Sequence, residues 1–264
     1  MNAIDALNMR TMRSRSAISQ YSSADDLTPA ERASLEEVIA LVRGRPILDI
    51  GVGCGRTVRP LFAVSQDYRA IDNSIEMVDA CRSRHPGVRV EHSDARHMVT
   101  VSDCSIALAM FSCNGLGMVT HADRLQILRE VFRVLKPGGV FLFSAHNRQC
   151  RDHLGGFKWP SFAWSANPAR LGVRAIRFFE STARRVVNRR RYRTHEVRSK
   201  NYSMINDACH DYATMLYYIA VEEQRRQLIE QGFEANASAY DETGRPARAG
   251  ATDSSIAYVA RKPL

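Results

Sequence analysis

Apolar and polar positions follow two alternating patterns along the middle of the chain. Five short apolar runs predict strands, at residues 47–50, 68–72, 88–94, 105–111 and 140–145. Between the strands, apolar residues recur about every 3.6 positions, which predicts helices with one buried face. Strands that alternate with helices over roughly 100 residues predict an α/β fold with a doubly wound parallel sheet.

Residues with known capping preferences mark the ends of several of these helices. Thr28, Pro29 and Glu31 predict a helix start, because a threonine N-cap, a first-turn proline and a glutamate together form a capping box. Ser74 is the predicted N-cap of the helix after the second strand. An amphipathic helix is predicted over residues 124–135, where a Lys-Pro-Gly-Gly segment ends it.

The rest of the chain divides into further parts. Residues 1–24 are polar and unpatterned, so we expect partial disorder unless a ligand or the domain orders them. Towards the C-terminus, a helix is predicted at 224–231 and strands at 235–240 and 255–260. The predicted units are an N-terminal segment (1–27), an α/β core (28–147), a basic lid insertion (148–218) and a final helix with two strands (219–264).

A glycine-rich turn joins the first strand to the next helix. Gly51, Gly53 and Gly55 accept positive φ and allow a ligand to approach bare backbone. The second strand ends in Asp72, at the spacing where dinucleotide-type folds hold ribose hydroxyls, and the third ends in Asp94. The glycines alone would fit a plain tight turn. Together with the two acids they favour a nucleotide-like cofactor.

The motif Asp-x-Gly-x-Gly-x-Gly, with acids after strands two and three, resembles the class I S-adenosylmethionine-dependent methyltransferases. The nicotinamide fingerprint would have glycine where this chain has Arg56. The resemblance covers about residues 40–147, with a weaker similarity in 220–264. It implies a Rossmann-like sheet of seven strands, the last two forming an antiparallel edge hairpin. It also implies S-adenosylmethionine as cofactor, with residues 148–218 as a helical or irregular lid insertion.

The resemblance assigns roles to the acidic residues. Asp49 is expected to position the methionine end of the cofactor. Asp72 is expected to accept both ribose hydroxyls, since a carboxylate can take two hydrogen bonds at once. Asp94, with Ala95, is expected to meet the adenine edge. A cap at the end of the strand is the alternative for Asp94.

The other implied contacts are apolar or come from the backbone. Backbone contact is expected from the glycines of the turn, Gly51, Gly53 and Gly55. Phe111 and Ser112 are expected beside the sulfonium. Met77 is expected to pack on the adenine ring, a core position being the alternative. In similar proteins an N-terminal segment folds over the cofactor, so Tyr21 is expected to present its ring there or to be a surface tyrosine.

The acceptor side carries few groups that can exchange a proton. Methyl transfer is an in-line displacement in which orientation supplies about 7–11 kcal/mol, and a base is needed only for a protonated nucleophile. Many relatives have an acid in strand four where this chain has Ala107. The loop at 111–118 contains Asn114 but no acid or base. Asn114 is therefore a candidate for positioning, and base catalysis from this loop is not expected.

Two other polar groups are candidates for catalysis. His146 and Asn147 follow the fifth strand at the substrate edge, where His146 would take a proton or bond to substrate. A satisfied structural histidine is the alternative. His210 and Tyr212 lie in a polar run that would line an acceptor pocket, or would form a capped helix with a buried aromatic face. A His/Asp spacing of one residue is not that of a metal site, and no metal is predicted.

The net charge of +9 is concentrated in one segment. Residues 170–200 contain eleven Arg or Lys and two acids, while the rest of the chain balances. The alternatives for this segment are a solvated helix face, an anionic substrate, an acidic carrier protein, a membrane surface or nucleic acid. No recognised RNA-binding module accompanies it, so a small and anionic metabolite is favoured over nucleic acid as partner.

Composition places the chain among ordinary globular proteins, at 45% hydrophobic and 25% charged residues. No apolar run approaches the roughly 20 residues that cross a bilayer, and the N-terminal arginines precede no apolar stretch of a secretory signal. The cytoplasm is the predicted location. Six scattered cysteines without a Cys-x-x-Cys pair predict neither a zinc site nor a disulfide framework.

The sequence thus predicts an S-adenosylmethionine-dependent methyltransferase that acts on an N, O or S atom of a small metabolite. Two alternatives remain at this point. One is an RNA methyltransferase that uses residues 170–200 to hold phosphates. The other is a non-catalytic binding module with a methyltransferase fold.

Overall fold

The computed structural model describes residues 2–23, 25–150, 156–248 and 250–264. Ten strands of these residues form one sheet: β1 Ile47–Ile50, β2 Tyr68–Asp72, β3 Arg89–His92, β4 Ile106–Phe111, β5 Leu135–Asn147, β6 Val197–Arg198, β7 Tyr202–Asp207, β8 Thr214–Ile219, β9 Ser238–Tyr240 and β10 Ser255–Arg261. The same residues contain eight α-helices: α1 Ala3–Met12, α2 Arg15–Tyr21, α3 Pro29–Val42, α4 Val58–Val64, α5 Ile75–Arg84, α6 His121–Val134, α7 Pro168–Tyr192 and α8 Val221–Glu230.

The centre of the sheet is a parallel set with the order β3-β2-β1-β4-β5. β10 pairs antiparallel with β5, and β9 pairs antiparallel with β10. These seven strands confirm the predicted doubly wound α/β sheet with an antiparallel edge hairpin. Because the parallel strands run the same way, the loops at their carboxyl ends meet at one edge of the sheet.

Apolar side chains fill both faces of the sheet. All six residues of β4 are buried, as expected of a parallel strand that is covered on both sides. Along β1, Leu48 and Ile50 join the core on one face, and Ile47 joins the core on the other, with Val38 of α3. This alternation decides which side chains of β1 reach the cavity described below.

Helix starts follow their capping residues. The N–H of Thr28 donates to Glu31 Oε2 at 2.9 Å and the N–H of Glu31 donates to Thr28 Oγ1 at 3.2 Å, which confirms the capping box. Ser74 caps α5 as predicted. α6 begins at His121, earlier than predicted, because Thr120 supplies the N-cap. Among the described helices, none has the length and apolar character to cross a bilayer.

The predicted lid contains strands as well as the predicted helix. α7 is its helical part, but β8 pairs in parallel with the end of β5, through His146–Tyr218 and Asn147–Ile219. β7 pairs antiparallel with β8, and β6 with β7. β7 and β8 extend the sheet because their apolar residues are buried in it, which a count of arginines across the whole insertion does not reveal. Residues 151–155 of the predicted lid lie outside the described residues.

The N-terminal segment is ordered by contacts with the domain. The sequence predicted partial disorder unless a ligand or the domain ordered it. Asn2 and Ser14 cap α1 and α2. The buried Asn8 of α1 donates from Nδ2 to the carbonyl oxygens of Met118, at 2.6 Å, and Met215, at 2.8 Å. Its Oδ1 accepts the N–H of Met215 at 2.9 Å. α1 is therefore fixed to β8 across the carboxyl edge of the sheet.

Candidate active site

A cavity of about 240 Å³ lies at the carboxyl ends of β1, β2 and β4. We call it the edge cavity. Its wall includes the ends of those strands, the loops that follow them, and side chains of α1 and α2. Seven of the nine residues predicted to bind cofactor lie on this wall: Gly51, Gly53, Asp72, Met77, Asp94, Ala95 and Phe111. Asp49 and Gly55 do not.

The glycine turn is shaped by close packing. Gly51 has φ 64°, and a Cβ on it would come within 2.5 Å of the Phe111 ring. Gly55 has φ 89°, and its Cβ would come within 2.5 Å of the His85 ring. Gly51 therefore lets the turn pass Phe111 on the cavity wall, while Gly55 lets it pack on α5. The expected ligand contact of Gly55 is replaced by this packing role.

Asp72 ends β2 on the cavity wall and is held by backbone donors. The N–H of Gly53 donates to its Oδ2, and the N–H of Ser74 donates to its Oδ1, both at 2.8 Å. Burial raises the pKa of Asp72, and these donors offset the rise in part. A carboxylate offers about four acceptor sites, so each oxygen of Asp72 can accept one more hydrogen bond from a ligand.

Asp49 is turned away from the edge cavity, which corrects its expected contact with the cofactor. Its Oδ2 accepts hydrogen bonds from Thr57 Oγ1 and from Tyr68 Oη, the second at 2.8 Å. It is fully buried, and burial raises its pKa to about 6. Successive side chains of a strand face opposite sides, and the next residue, Ile50, is the one on the cavity wall. Asp49 holds the glycine turn through Thr57, which follows the turn, on the face of β1 opposite Ile50.

Asp94 reaches the wall as predicted, but Arg96 already pairs with it. Arg96 donates to Asp94 from Nε at 3.0 Å and from Nη2 at 2.6 Å. Burial alone would raise the pKa of Asp94, but Arg96 holds it below its ordinary value. Arg96 also pairs with Asp5 of α1 at 2.5 Å and with Asp123 at 3.2 Å. One guanidinium thus joins α1 to the loop after β3.

Asp5 is a wall residue that sequence reasoning missed. It is 5% exposed, and its Oδ1 is buried without a hydrogen-bond partner among the described residues. Burial raises its pKa, against the opposing effect of Arg96. The helical pattern of α1 is too weak to have indicated that Asp5 turns inwards.

Arg56 lies at the other end of the wall and is oriented by Glu31. Its Nη1 and Nη2 donate to the two carboxylate oxygens of Glu31, both at 2.8 Å. The N–H of Cys113 donates to Glu31 Oε1 at 3.2 Å. Burial alone would raise the pKa of Glu31, but Arg56 holds it below its ordinary value. The only sequence signal for Arg56 was its departure from the nicotinamide fingerprint.

Tyr21 lies on the wall near the loop after β4. Its Oη is 3.4 Å from His210 Nε2. Burial raises the pKa of the Tyr21 phenol and lowers the pKa of His210, so a neutral phenol faces a neutral imidazole at neutral pH. His210 itself does not line the edge cavity, and it orients Tyr21 through this contact.

The other predicted catalytic residues also lie off the described wall. Asn114 Nδ2 is 3.4 Å from His146 Nδ1, and its Oδ1 accepts from Ser255 Oγ at 2.8 Å. His146 stacks on Tyr218 with ring centroids 5.0 Å apart, and burial lowers its pKa to about 4. Both residues therefore connect the loop after β4 to neighbouring strands, which favours the structural alternative for His146.

Asn147 and Tyr212 are buried and bonded to backbone. Asn147 Nδ2 donates to the carbonyl of Ala251 at 2.6 Å, and its Oδ1 accepts the N–H of Gln149 at 3.0 Å. Tyr212 Oη accepts the N–H of Lys158 at 2.7 Å. Contacts of this kind hold the chain in place and direct neither side chain to the edge cavity.

The geometry of the edge cavity fits a ligand that combines an apolar ring, a diol and a charged amino acid. Apolar side chains line the middle of the wall, including Ile50, Ile71 and Met77. Asp72 offers acceptor sites to hydroxyl groups. Arg56 offers donors to a carboxylate at one end.

Comparison with known proteins agrees with this site. Residues 47–139 match the family model of the Methyltransferase domain. A probable S-adenosylmethionine-dependent methyltransferase of Mycolicibacterium smegmatis is 31% identical over 106 residues, which is 40% of this chain and 39% of that protein. A malonyl-[acyl-carrier protein] O-methyltransferase of Pectobacterium atrosepticum is 28% identical over 46% of this chain and 47% of that protein. The chain thus matches less than half the length of these two curated relatives.

The fold is shared with solved methyltransferase structures. An S-adenosylmethionine-dependent methyltransferase from Clostridium acetobutylicum superposes with a TM-score of 0.58, at 13% identity, over 89% of this chain and 92% of that one. Residues 47–139 thus carry the Methyltransferase domain, and the chain shares the fold of solved S-adenosylmethionine-dependent methyltransferases. S-adenosylmethionine is the cofactor, and its adenosine and methionine parts have the chemical features that the edge cavity fits.

Proposed function

We propose that this protein transfers the methyl group of S-adenosylmethionine to an N, O or S atom of a small metabolite. One observation carries the proposal. The wall that holds the cofactor-type residues Asp72 and Phe111 continues without a break to Tyr21 and Met118. A single cavity can therefore receive both a cofactor and a small acceptor. Relatives named as O-methyltransferases, such as the malonyl-[acyl-carrier protein] enzyme, support a carrier-bound or small acceptor.

The cofactor would be held by groups that the fold already orients. Asp72 would accept the ribose hydroxyls, because its backbone donors fix both oxygens and leave acceptor capacity. Arg56 would bind the methionine carboxylate with a donor that Glu31 leaves free. When bound, the cofactor supplies a methyl group that its sulfonium activates. The protein has to align the acceptor with it and exclude water.

The acceptor side of the wall favours a nucleophile that needs no strong base. The described wall residues there include Tyr21, Cys113 and Met118, and no carboxylate. Tyr21 would contact the acceptor, and His210 would position Tyr21 through their 3.4 Å contact.

An anionic acceptor is not part of the proposal. The basic residues on the described wall are Arg56, which is assigned to the cofactor carboxylate, and Arg96, which pairs with Asp5 and Asp94. None of the arginines of 170–200 lies on that wall. The concentration of positive charge therefore belongs to another surface of the protein.

Calorimetric titration of the protein with S-adenosylmethionine and with its demethylated product tests the cofactor site. Asp72→Asn removes the charge but keeps one acceptor oxygen for the turn. The loss of hydrogen bonds to a charged group costs about 1.5–3 kcal/mol, so we expect affinity to fall about ten- to hundred-fold. Asp79→Asn, on the exposed side of α5, is the matched control. No heat of binding, or equal affinity in Asp72→Asn, would remove the proposal.

Transfer is tested with labelled cofactor and fractionated cell extract. Label in a small-molecule fraction is the expected outcome. Label in the RNA fraction instead would establish the RNA methyltransferase. Cofactor binding without transfer to any fraction would establish the non-catalytic module.

A further inference from the structure

α7 and the segment before it expose a large apolar surface. Trp159, Trp164, Ile176 and Phe179 are 65%, 72%, 61% and 69% exposed. Phe162, Val173 and Val187 are exposed as well. Exposed tryptophan, phenylalanine and isoleucine concentrated in one segment are unusual on a protein that stays in water. We call residues 157–187 with these side chains the outer face.

The outer face is one continuous surface because the segment at 157–167 runs along α7. Phe162 meets Phe178 edge to face, with ring centroids 5.5 Å apart. Arg174 Nη1 donates to the carbonyl of Ala163 at 3.1 Å. Further along, Arg185 Nη1 donates to the carbonyl of Lys158 at 2.6 Å. The two tryptophans are thereby placed beside the helix and do not hang from a separate loop.

The apolar residues of α7 lie on the side that faces away from the protein. Val173, Ile176, Ala183 and Val187 follow one another at spacings of three, four and seven residues, which places them on one stripe of a helix. The opposite side packs on the 3-10 turn Cys209–Tyr212. The outward stripe therefore has no cover within the described parts of the chain.

The charged residues of α7 also differ between its inner and outward sides. The arginines of the inner side are neutralised, since Arg185 pairs with Asp211 at 2.9 Å and Arg189 pairs with Glu196. Arg170, Arg177 and Arg190 are exposed, and no ion pair reaches them among the described residues. Glu180, the one acid in α7, lies on the outward side, four residues after Ile176, and pairs with Arg184 at 3.8 Å. The outer face thus combines apolar side chains with unpaired positive charge.

We propose that the outer face docks this protein on the surface of an anionic lipid bilayer. A helix with a basic polar side and an apolar stripe lies in the interface plane, with the apolar side chains at the boundary of headgroups and acyl chains. Arginines beside the stripe would contact lipid phosphates, and the tryptophans would sit at headgroup depth. RNA would satisfy the arginines but would leave the aliphatic stripe exposed to water. A lipid surface satisfies both.

Binding to vesicles tests this docking without cofactor or acceptor, so its outcome is independent of the proposed methyl transfer. The full-length protein is mixed with phosphatidylcholine vesicles, with or without a third of phosphatidylglycerol, and bound protein is separated by flotation. We expect binding to the anionic vesicles to exceed binding to the neutral ones at least ten-fold. High salt should weaken it, since electrostatic attraction is screened.

The two tryptophans give a direct readout of depth. Trp159 and Trp164 are the only tryptophans of the chain, and both lie on the outer face. Their fluorescence should shift to shorter wavelength on binding to anionic vesicles. Lipids brominated in the acyl chains should quench it. A surface held by charge alone would leave the spectrum unchanged.

Two pairs of variants separate the charge from the apolar stripe. Arg170→Glu with Arg177→Glu should reduce binding at least ten-fold, and Arg43→Glu with Arg45→Glu, an equal charge change at exposed positions elsewhere, should not. Ile176→Ser with Phe179→Ser should abolish the spectral shift, whereas Leu41→Ser with Ile229→Ser, also at exposed positions, should keep it. The proposal is overturned by equal binding to neutral vesicles, by wild-type binding in both outer-face variants, or by salt-sensitive RNA binding without any vesicle binding.

Discussion

Asp49 and Asp72 lie near the carboxyl ends of neighbouring strands, yet only Asp72 is on the wall of the edge cavity. Asp72 is the last residue of β2, where the chain turns and the carboxylate meets the glycine loop. Asp49 lies one residue before the end of β1 and is paired with Ala70, so it shares the face of Asp72 but lies deeper in the sheet. There Thr57 and Tyr68 donate hydrogen bonds to it. A family motif assigned both acids to the cofactor, but the position within the strand decided which of them reaches it.

The buried Asp49 makes stability depend on pH. Burial raises its pKa in the folded protein from 3.8 to about 6, although Thr57 and Tyr68 donate to it. Between these two values the unfolded chain has released the proton while the folded protein keeps it, so stability falls as pH rises through this window. Relative to Asp49→Asn, the wild type should lose about 3 kcal/mol of unfolding free energy between about pH 4 and pH 7.

Urea unfolding of both proteins across this range measures the effect. Asp67→Asn, at an exposed position in the same region, should keep the wild-type pH dependence. A constant difference between the wild type and Asp49→Asn at every pH would show that Asp49 is ionised throughout.

At the scale of elements, α1 closes the edge cavity through contacts with distant parts of the chain. Asn8 binds both backbone groups of Met215, 207 residues away, while Arg96 binds Asp5. Local propensity says little about such a helix, because its own apolar pattern is weak. Once docked, it supplies Asp5 and Asn8 to the cavity wall.

Loss of the Asn8 contacts should undock α1. Asn8→Ala removes three hydrogen bonds and leaves buried backbone groups unpaired, at about 1–3 kcal/mol each. We expect cofactor affinity to fall about ten-fold or more and exchange of the α1 amides to increase. Calorimetry and hydrogen exchange measure the two effects, with the exposed Gln20→Ala as control. Unchanged affinity with a mobile α1 would separate this helix from the cofactor site.

Arg124 joins three elements and is fully buried. Nη1 donates to the carbonyl of Leu116 and Nε to Gln227 Oε1, both at 2.9 Å, and Nη2 donates to Gln224 Oε1. Its guanidinium also lies over the Tyr217 ring, 4.7 Å from the centroid. It thus connects α6 to the loop after β4 and to α8.

Arg124→Ala should be among the most destabilising single changes in the core. It leaves three buried acceptors without their donor, so we expect a loss of more than about 3 kcal/mol. Arg129→Ala, exposed on the same helix, should change stability by less than about 0.5 kcal/mol. Denaturant midpoints compare the two. A small effect of Arg124→Ala would mean that water or a rearranged glutamine satisfies these acceptors.

At the scale of the whole molecule, the insertion divides into a part inside the sheet and a part outside it. β7 and β8 are buried strands, whereas α7 is exposed along most of its length. The predicted lid at 148–218 is therefore better described as two pieces that differ in burial. The outer piece carries the charge and the apolar stripe.

Hydrogen exchange should separate these pieces. In the ligand-free protein, residues 202–219 should be protected like the core, while residues 156–198 should exchange faster because few buried contacts hold them. Cofactor with acceptor should slow exchange in 156–198 and leave β10, which is already buried, unchanged. Equal protection of 156–198 with and without ligands would show that this piece does not close over the site.

The sequence by itself determined the core of this protein. The apolar runs, the caps at Thr28 and Ser74, the glycine turn and the acids after β2 and β3 all act through residues close together along the chain. Strand period, capping and turn chemistry are local properties, so a single sequence displays them. Seven of the nine predicted cofactor residues reached the cavity wall for this reason.

The tertiary structure alone decided the rest. It turned Asp49 away from the edge cavity and placed α1 over that cavity. It also joined β6, β7 and β8 to the sheet. The residues that it left off the described wall are Asn114, His146, Asn147, His210 and Tyr212. Each of these outcomes depends on pairing between residues far apart in sequence, such as Asn8 with Met215 or His146 with Tyr218. Such pairs form because they satisfy buried polar groups and cover apolar surface, and no local pattern specifies which distant partner does so.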